Sequence, residues 1–401
     1  MASQYYFARD TKVYAHVPMA AAATKNMYYE LPVLDGFSFS QATNASEITL
    51  NQAQSTGGAS LRARQMFNDS YAPAEWSFST YMSPFISAGG TKGAAGKAAS
   101  SALHCEVSEA MWAMFFSQTV DGGLTPHADQ LAVLPGNSNS ATVGKFDLYF
   151  VLGGATVDTA YTYTSTEDDS AGAGKEMIYK IADCSVNELS FDFDIDGLAV
   201  VNWSGQGKII TDHGDTGLTV TSTSIYEGVS NTTGFIRNRV SDITINPADT
   251  TLSGDSNNYV ATLTGGNITM GNNLTFLTPE TLGVVNKPLG HVAGTKSIGG
   301  NFTCYLDNAG VTSVELYEDL VEVSQDIQNV FDLTFDIGAG VGITPVVPHC
   351  KLQMQQCHLE IPTHSIEEVI SMETSFHALP STFDALDEIK ADAFLFVGVD
   401  A

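Results

Sequence analysis

The sequence predicts a mainly β chain built as two tandem β-sandwich or barrel units, each with one packed α-helix. Three observations carry this expectation. A short apolar strand is written twice, as Phe146-Asp147-Leu148-Tyr149-Phe150 and as Phe331-Asp332-Leu333-Thr334-Phe335, and both copies run into glycine. Their neighbours repeat in the same order. Elsewhere, short alternating runs are separated by Gly, Asn and Asp, the pattern of strands and turns.

Upstream of the motif, Trp76-Ser77-Phe78-Ser79-Thr80-Tyr81 is answered by Gly300-Asn301-Phe302-Thr303-Cys304-Tyr305, with Phe and Tyr in register. Asp35–Phe39 finds a looser partner in Gly265–Thr269, and each is followed by an Asn-containing turn and a Thr/Leu-rich strand (Ile48 to Leu50; Leu274 to Leu277). Each half carries one helical pattern. In Glu106 to Gln118, Val107, Ala110, Met111, Met114 and Phe115 recur at three and four; in Thr312 to Val323, Val314, Tyr317, Leu320 and Val321 share a face. Thr312 and Glu315 have capping-box spacing. Downstream, Cys184 and Cys357 each stand near the start of a strand, before the apolar runs Leu198 to Val201 and Val369 to Met372. Elements repeated in one order indicate an internal duplication. The expected layout is a first unit at 1–205, a linker or insertion at 206–258 and a second unit at 259–401.

Between these elements, residues 1–30 read as an extended arm or edge strand. Pro32 to Leu50 reads as a hairpin, and 51–73 as a polar loop containing Arg62 and Arg64. Trp76 to Met82 alternates so that one face is buried. Ile86 to Ser101 is low-complexity Gly/Ala/Ser with two lysines, unable to build a core and expected to be mobile in an isolated subunit. Ser165 to Lys175 is an acidic loop, followed by strands at Met177 to Ile181, Glu188 to Ile195 and Leu198 to Trp203. Short Thr/Ile strands are expected at Leu218 to Tyr226 and Val240 to Ile245. Ser365 to Glu373 fits a helix cap through Ser365 and Glu368, but the duplication favours a strand; Phe394 to Val399 is the last strand.

Composition narrows the function classes. With 401 residues the chain can fill two domains with real cores. Charged residues are only 15%, and 45 acidic against 17 basic give a net charge of −28. Such a surface repels nucleic acid and anionic membranes rather than binding them. Met1 to Val17 has no apolar core of a signal peptide, and no run is long and apolar enough to span a membrane. The five cysteines are too few and scattered for a disulfide framework, so synthesis in a reducing cytoplasm is expected.

Candidate chemistry is sparse. Asp192-Phe193-Asp194-Ile195-Asp196-Gly197 copies the first half of a calcium-binding EF-hand loop, but its twelfth position is Trp203 rather than a bidentate carboxylate. Strand alternation explains it better, with Asp192, Asp194 and Asp196 on one face and Phe191, Phe193 and Ile195 toward the core. His349-Cys350 and Cys357-His358 resemble four zinc ligands, yet their odd spacing on a strand points Cys350 and Cys357 to opposite faces. Gly338-Ala339-Gly340-Val341-Gly342 opens no helix and reads as a turn. No residue set calls for a catalytic triad, a metal or a cofactor, and a non-enzyme is expected.

Leu31-Pro32-Val33-Leu34-Asp35-Gly36-Phe37-Ser38-Phe39-Ser40-Gln41, followed by Asn44 to Asn51, resembles the opening hairpin of the tail tube (major tail) proteins of long-tailed bacteriophages. The ordered elements of both halves resemble that fold too, so the two units are expected to be tube domains. The resemblance implies rings that stack, an inner sheet lining a channel for DNA, and helices outward. Members with two tandem domains form trimeric, pseudo-hexameric rings. It further implies tail tip and terminator proteins as partners, genomic DNA passing without specific binding, no membrane, and a place in the virion tail after assembly in the host cytoplasm. Asp192, Asp194 and Asp196 then become a candidate acidic lumen or solvent strand face. Gly89, Lys92, Gly96 and Lys97 become a candidate ring-stacking loop. Two other readings stand beside this one: a capsid or decoration protein, and a β-rich binding module in which Trp76, Trp112 and Trp203 would stack on sugars.

Overall fold

The computed structural model describes residues 11–17, 27–49, 53–54, 60–61, 64–87, 103–117, 124–126, 131–133, 143–152, 160–163, 177–213, 218–221, 225–226, 234–247, 258–282, 284–308, 310–323, 330–338, 348–382, 388–389 and 394–400. In chain order the first unit runs β1 (Lys12–Val17), β2 (Met27–Leu31), β3 (Ser38–Thr49), β4 (Arg64–Tyr81), α1 (Glu109–Phe115), β5 (Phe146–Leu152), β6 (Met177–Asp194) and β7 (Val200–Gly207). The second runs β8 (Asp242–Pro247), β9 (Tyr259–Ala261), β10 (Leu263–Gly271), β11 (Ser297–Tyr305), α2 (Ser313–Val323), β12 (Phe331–Ile337), β13 (His349–Leu359), β14 (Thr363–Ile366) and β15 (Ile370–Ala378).

The two units pair their strands alike. In the outer layer β1 lies between β2 and β5, and β5 pairs with the first half of β6. Correspondingly, β8 lies between β9 and β12, and β12 pairs with β13. In the inner layer β3, β4, β7 and the second half of β6 pair in that order. Their counterparts are β10, β11, β15, and the end of β13 with β14. Each unit is therefore an open sandwich in which one long strand, β6 or β13, serves both layers. That strand turns the corner through a bulge, with φ +49° at Asp183 and +57° at Gln356. At both corners the register slips by one, between Phe146 and Leu148 opposite Cys184 and Ile181, and between Phe331 and Leu333 opposite Cys357 and Met354.

Alternation fills the space between layers. Phe146, Leu148 and Phe150 of β5, and Phe331, Leu333 and Phe335 of β12, are fully buried, each stabilising the fold by about 1.5–3 kcal/mol of gross transfer energy. Trp112 on α1 packs edge-on against Trp203 of β7 and Phe394, both at 4.9 Å. The Trp203 indole N–H donates to Thr80 Oγ1 at 2.9 Å. Trp76, Trp112 and Trp203 are all core residues, which removes the sugar-stacking platform.

Several sequence expectations need correction. Lys12–Val17 is an interior strand of the outer sheet, not an edge, because β2 and β5 cover both its sides. Pro32 to Leu50 is not a hairpin by itself: Ser38–Thr49 is one strand, and its partner is Arg64–Tyr81, so 64–73 is not loop. Met177 to Ile181 and Glu188 to Ile195 are parts of one strand. The first helix is shorter than Glu106 to Gln118, with Glu106 at the end of a preceding strand. On α2 the buried residues are Ser313, Leu316, Asp319 and Leu320, while Val321 is exposed, since the face is set by what packs on it, with Tyr259 donating to Asp319. Thr312 makes no capping box; its hydroxyl donates to the Asp307 carbonyl. Cys350 and Cys357 lie on the same buried side, because the bulge at Gln356 breaks the period of two. Ser365 to Glu373 is extended at Thr363–Ile366 and again from Ile370, as the duplication implied. Inside 206–258, Ile210–Asp212 pairs with β6 of the first unit, and Asp242–Pro247 with β12 of the second.

Candidate functional site

The inner sheets of the two units are one sheet. Glu188–Asp194 of β6 pairs antiparallel with Gly271–Gly265 of β10, so eight strand positions run from β3 to the β13/β14 edge without a break. One face of this sheet is the sandwich core. The period of two sends every other side chain to the opposite face. Those side chains include Ser38 and Ser40; Glu75, Ser77 and Ser79; Asn202, Ser204 and Gln206; Glu188, Ser190, Asp192 and Asp194; Asn267 and Thr269; Asn301 and Thr303; and Ser371, Glu373, Ser375 and His377, with Tyr81, Val200 and Tyr305 on the same face at strand ends.

Neighbouring strands tie this face together with short polar links. Ser38 and Ser77 hydroxyls meet at 2.8 Å, and Ser79 Oγ donates to Asn202 Oδ1 at 2.7 Å. Asn267 Nδ2 donates to Asp192 Oδ1 across the joint between units, and Asn301 Nδ2 donates to Glu373 Oε1 at 2.7 Å. Among the described residues at these strand positions there is no lysine or arginine. Lysine and arginine are what neutralise phosphates and drive sequence-independent DNA binding. The described side chains of this face, mostly hydroxyls, amides and carboxylates, are wetted and bring no such cation.

Asp192 and Asp194 sit on this face and are exposed. Asp196 does not share it. The strand ends at Asp194, so Asp196 lies in a bend with its carboxylate 3.9 Å from Arg239, and Ile195 is 43% exposed rather than in the core. Gly89, Lys92, Gly96 and Lys97 lie outside the described residues, as does Ser165 to Lys175. Sequence reasoning missed Glu188, Glu373 and the Ser/Asn rows; the alternation of Trp76 to Tyr81 held their signal, but only the pairing of eight strands makes a surface of it.

Two edges of the sheet are open among the described strands. The residues Ser38–Gln41 of β3 pair only with β4, and β14 pairs only with β15. Beyond the sheet, the distal halves of β3 and β4 form an exposed arm carrying Ile48, Met66 and Phe67. The second unit's counterpart, between β10 and β11, exposes Leu282, Val284 and Leu289. The arms touch where the Tyr71 N–H donates to Asn286 O at 2.9 Å and the Asn286 N–H to Asp69 O at 3.1 Å.

The buried titratable groups away from this face support the fold. Burial pushes the Glu106 carboxyl up to about 7, against hydrogen bonds from Ser108 and the Ser83 N–H. Burial also raises the Cys184 and Cys350 thiols well above their usual range, and Cys304 and Cys357 to about 12, leaving them inert. No three His, Cys, Asp or Glu among the described residues come together as metal ligands.

Comparison with known proteins agrees with this architecture. The chain is similar to tail tube protein pb6 of Escherichia phage T5, with 28% identity over 387 residues, spanning 95% of this chain and 74% of that protein. A family model described as phage tail tube protein matches residues 50–348, most of the chain. The chain belongs to the phage tail tube protein family and is a structural component of the virion tail.

Proposed function

We propose that three copies of this chain form a pseudo-hexameric ring, that rings stack into the tail tube, and that the polar face of the inner sheet lines a conduit for DNA ejection. The observation that carries this is the eight-strand inner sheet with one largely polar face, on which the described residues include no lysine or arginine. Two units of like topology supply two ring positions per chain, so three chains fill six. The net charge of −28 suits a wall along which a polyanion slides without adhering. Asp192 and Asp194, with Glu75, Glu188 and Glu373, form the acidic part of that wall.

The apolar side chains of the two arms, Met66, Phe67, Leu282 and Val284 among them, supply the ring-to-ring contact with a further copy. The segment with Gly89, Lys92, Gly96 and Lys97 adds to it. Tail tip and terminator proteins cap the two ends of the stack. The border between domains falls between Asp212, which still pairs with the first unit, and Asp242, which opens the second. The test is electron microscopy and sedimentation of the concentrated protein, with and without duplex DNA. Three-fold rings or tubes that retain no DNA are expected; a monodisperse monomer, even with a tail tip supplied, would overturn the reading.

A further inference from the structure

We propose that a second copy of the chain closes the open edges by laying the start of its β3 against β14 in a defined register, Thr363–Ile366 antiparallel to Ser40–Phe37. The proposal rests on the ring reading above and specifies its copy-to-copy joint. It comes from the joint already present inside one chain, where β6 meets β10.

The register follows from the internal repeat. Phe78 and Tyr81 of β4 correspond to Phe302 and Tyr305 of β11, and the ladders on either side carry the correspondence outward. Through β4 and β11, Phe39 corresponds to Ile268, one residue from the match that the sequences alone suggest. Through β7 and β15, and with the same one-residue slip in both units, Ser190 to Phe193 correspond to Thr363 to Ile366. Inside the chain the joint pairs Ser190 with Thr269, Phe191 with Ile268, Asp192 with Asn267, Phe193 with Gly266 and Asp194 with Gly265. Between copies the same positions pair Thr363 with Ser40, His364 with Phe39, Ser365 with Ser38, and Ile366 with Phe37.

The two sets match in kind at the first and third pairs, while at the second His364 stands in the place of Phe191. Hydroxyl faces hydroxyl at the first pair of each, and hydrogen-bonding side chains face each other at the third. The fourth pair exchanges its bulk. A Cβ on Gly266 would lie 2.6 Å from the Phe193 ring, so that joint has room for one aromatic only. At the open edges the aromatic stands on the other strand, as Phe37, and the smaller Ile366 faces it. Phe193 reaches Phe335 at 5.6 Å, and Phe150 holds the corresponding place in the first unit, stacked with Phe39 at 4.4 Å and Phe37 at 5.9 Å. That shelf would receive Ile366, which is 81% exposed in the single chain, whereas Phe193 is 3% exposed. An exposed edge strand with such a side chain is a template for strand addition.

Cysteine pairing tests the register in the full-length chain. Directly opposed residues on an antiparallel pair bring their Cβ atoms within disulfide reach, and diagonal neighbours do not. Ser365→Cys with Ser38→Cys is expected to give disulfide-linked multimers on oxidation, at least tenfold more than Ser365→Cys with Ser40→Cys. Ile366→Glu should keep the melting temperature of the single chain and abolish assembly. Equal or stronger linking of the Ser40 pair, or assembly of Ile366→Glu like the unmodified chain, overturns the proposal. Assembly by sedimentation without the Ser365–Ser38 link overturns the register alone. Failure of the unmodified chain to assemble overturns the ring reading together with it.

Discussion

Asp147 reaches across the outer sheet to the corner of the neighbouring strand, where its Oδ1 accepts the Asp183 N–H at 3.0 Å. Asp183 has φ +49°, the strained left-handed region for a residue with a side chain. Asp332 repeats this with the Gln356 N–H at 3.3 Å, where φ is +57°. At both corners the following cysteine donates its S–H back into the same turn, Cys184 to Ile181 O and Cys357 to Met354 O. The duplicated F-D-L-x-F motif is thus a corner device: its apolar residues fill the core, and its aspartate satisfies a backbone donor that the bulge would orphan. The Lys180 ammonium completes the first copy at 2.8 Å from Asp147 Oδ2.

Asp147→Asn should therefore destabilise the first unit. Burial pushes this carboxyl up, but the His16 ring, Lys180 and the Asp183 N–H outweigh burial and hold it at about 2, against 3.8 unperturbed. That difference corresponds to about 2 kcal/mol. The folded value is the depressed one, so the stabilisation is fully present above pH 4 and lost as pH falls toward 2. Melting curves should show a lowered midpoint for the variant at pH 7 and convergence with the unmodified chain near pH 2; parallel curves would refute the role.

Glu106 titrates in the opposite sense. Its folded value, about 7, lies above the unfolded 4.5, so its contribution is present below pH 4.5 and lost as pH rises to 7. The loss is on the order of 3 kcal/mol. Glu106→Gln should flatten the stability profile between pH 5 and 8; an unchanged slope there would show that another group is responsible.

Glycine at position 205 is required by close approach. A Cβ there would lie 2.3 Å from the Trp76 ring and from the Ser185 carbonyl oxygen, whereas at Gly290 nothing lies within 4 Å. Gly205→Ala should cost about 3 kcal/mol, and Gly290→Ala should leave chemical denaturation midpoints almost unmoved. Similar effects at both sites would contradict the packing described for β4, β6 and β7.

Asp192→Asn with Asp194→Asn removes charge from exposed positions and should leave the melting temperature unchanged. Tubes made from it should bind more duplex DNA at low salt than the unmodified tubes, and the difference should shrink as salt screens it. Equal retention at all salt concentrations would remove these two residues from the conduit wall.

Much of this was legible in the sequence because duplication and alternation are local signals. The motif, the Trp76–Tyr81 echo, both helices and the matched cysteines all occupy corresponding places. The misreadings cluster where a period breaks. The bulge at Gln356 put Cys350 and Cys357 on one side despite their odd spacing, and the strand end at Asp194 turned Ile195 and Asp196 out of the pattern. The β3–β4 arm carries no buried stripe over 42–48 and 64–69, so cross-strand pairing alone makes it a strand. The polar face was hidden for a different reason: it is assembled from eight strands, and no one of them displays it.

The central claim is that the polar face of the inner sheet lines the tube. A cryo-electron microscopy reconstruction of assembled tubes tests it most directly. The account predicts Glu188, Asp192, Asp194 and Glu373 pointing at the tube axis, with α1 and α2 outside. A channel lined instead by the outer β1–β2–β5 layer, or by the helices, would contradict it.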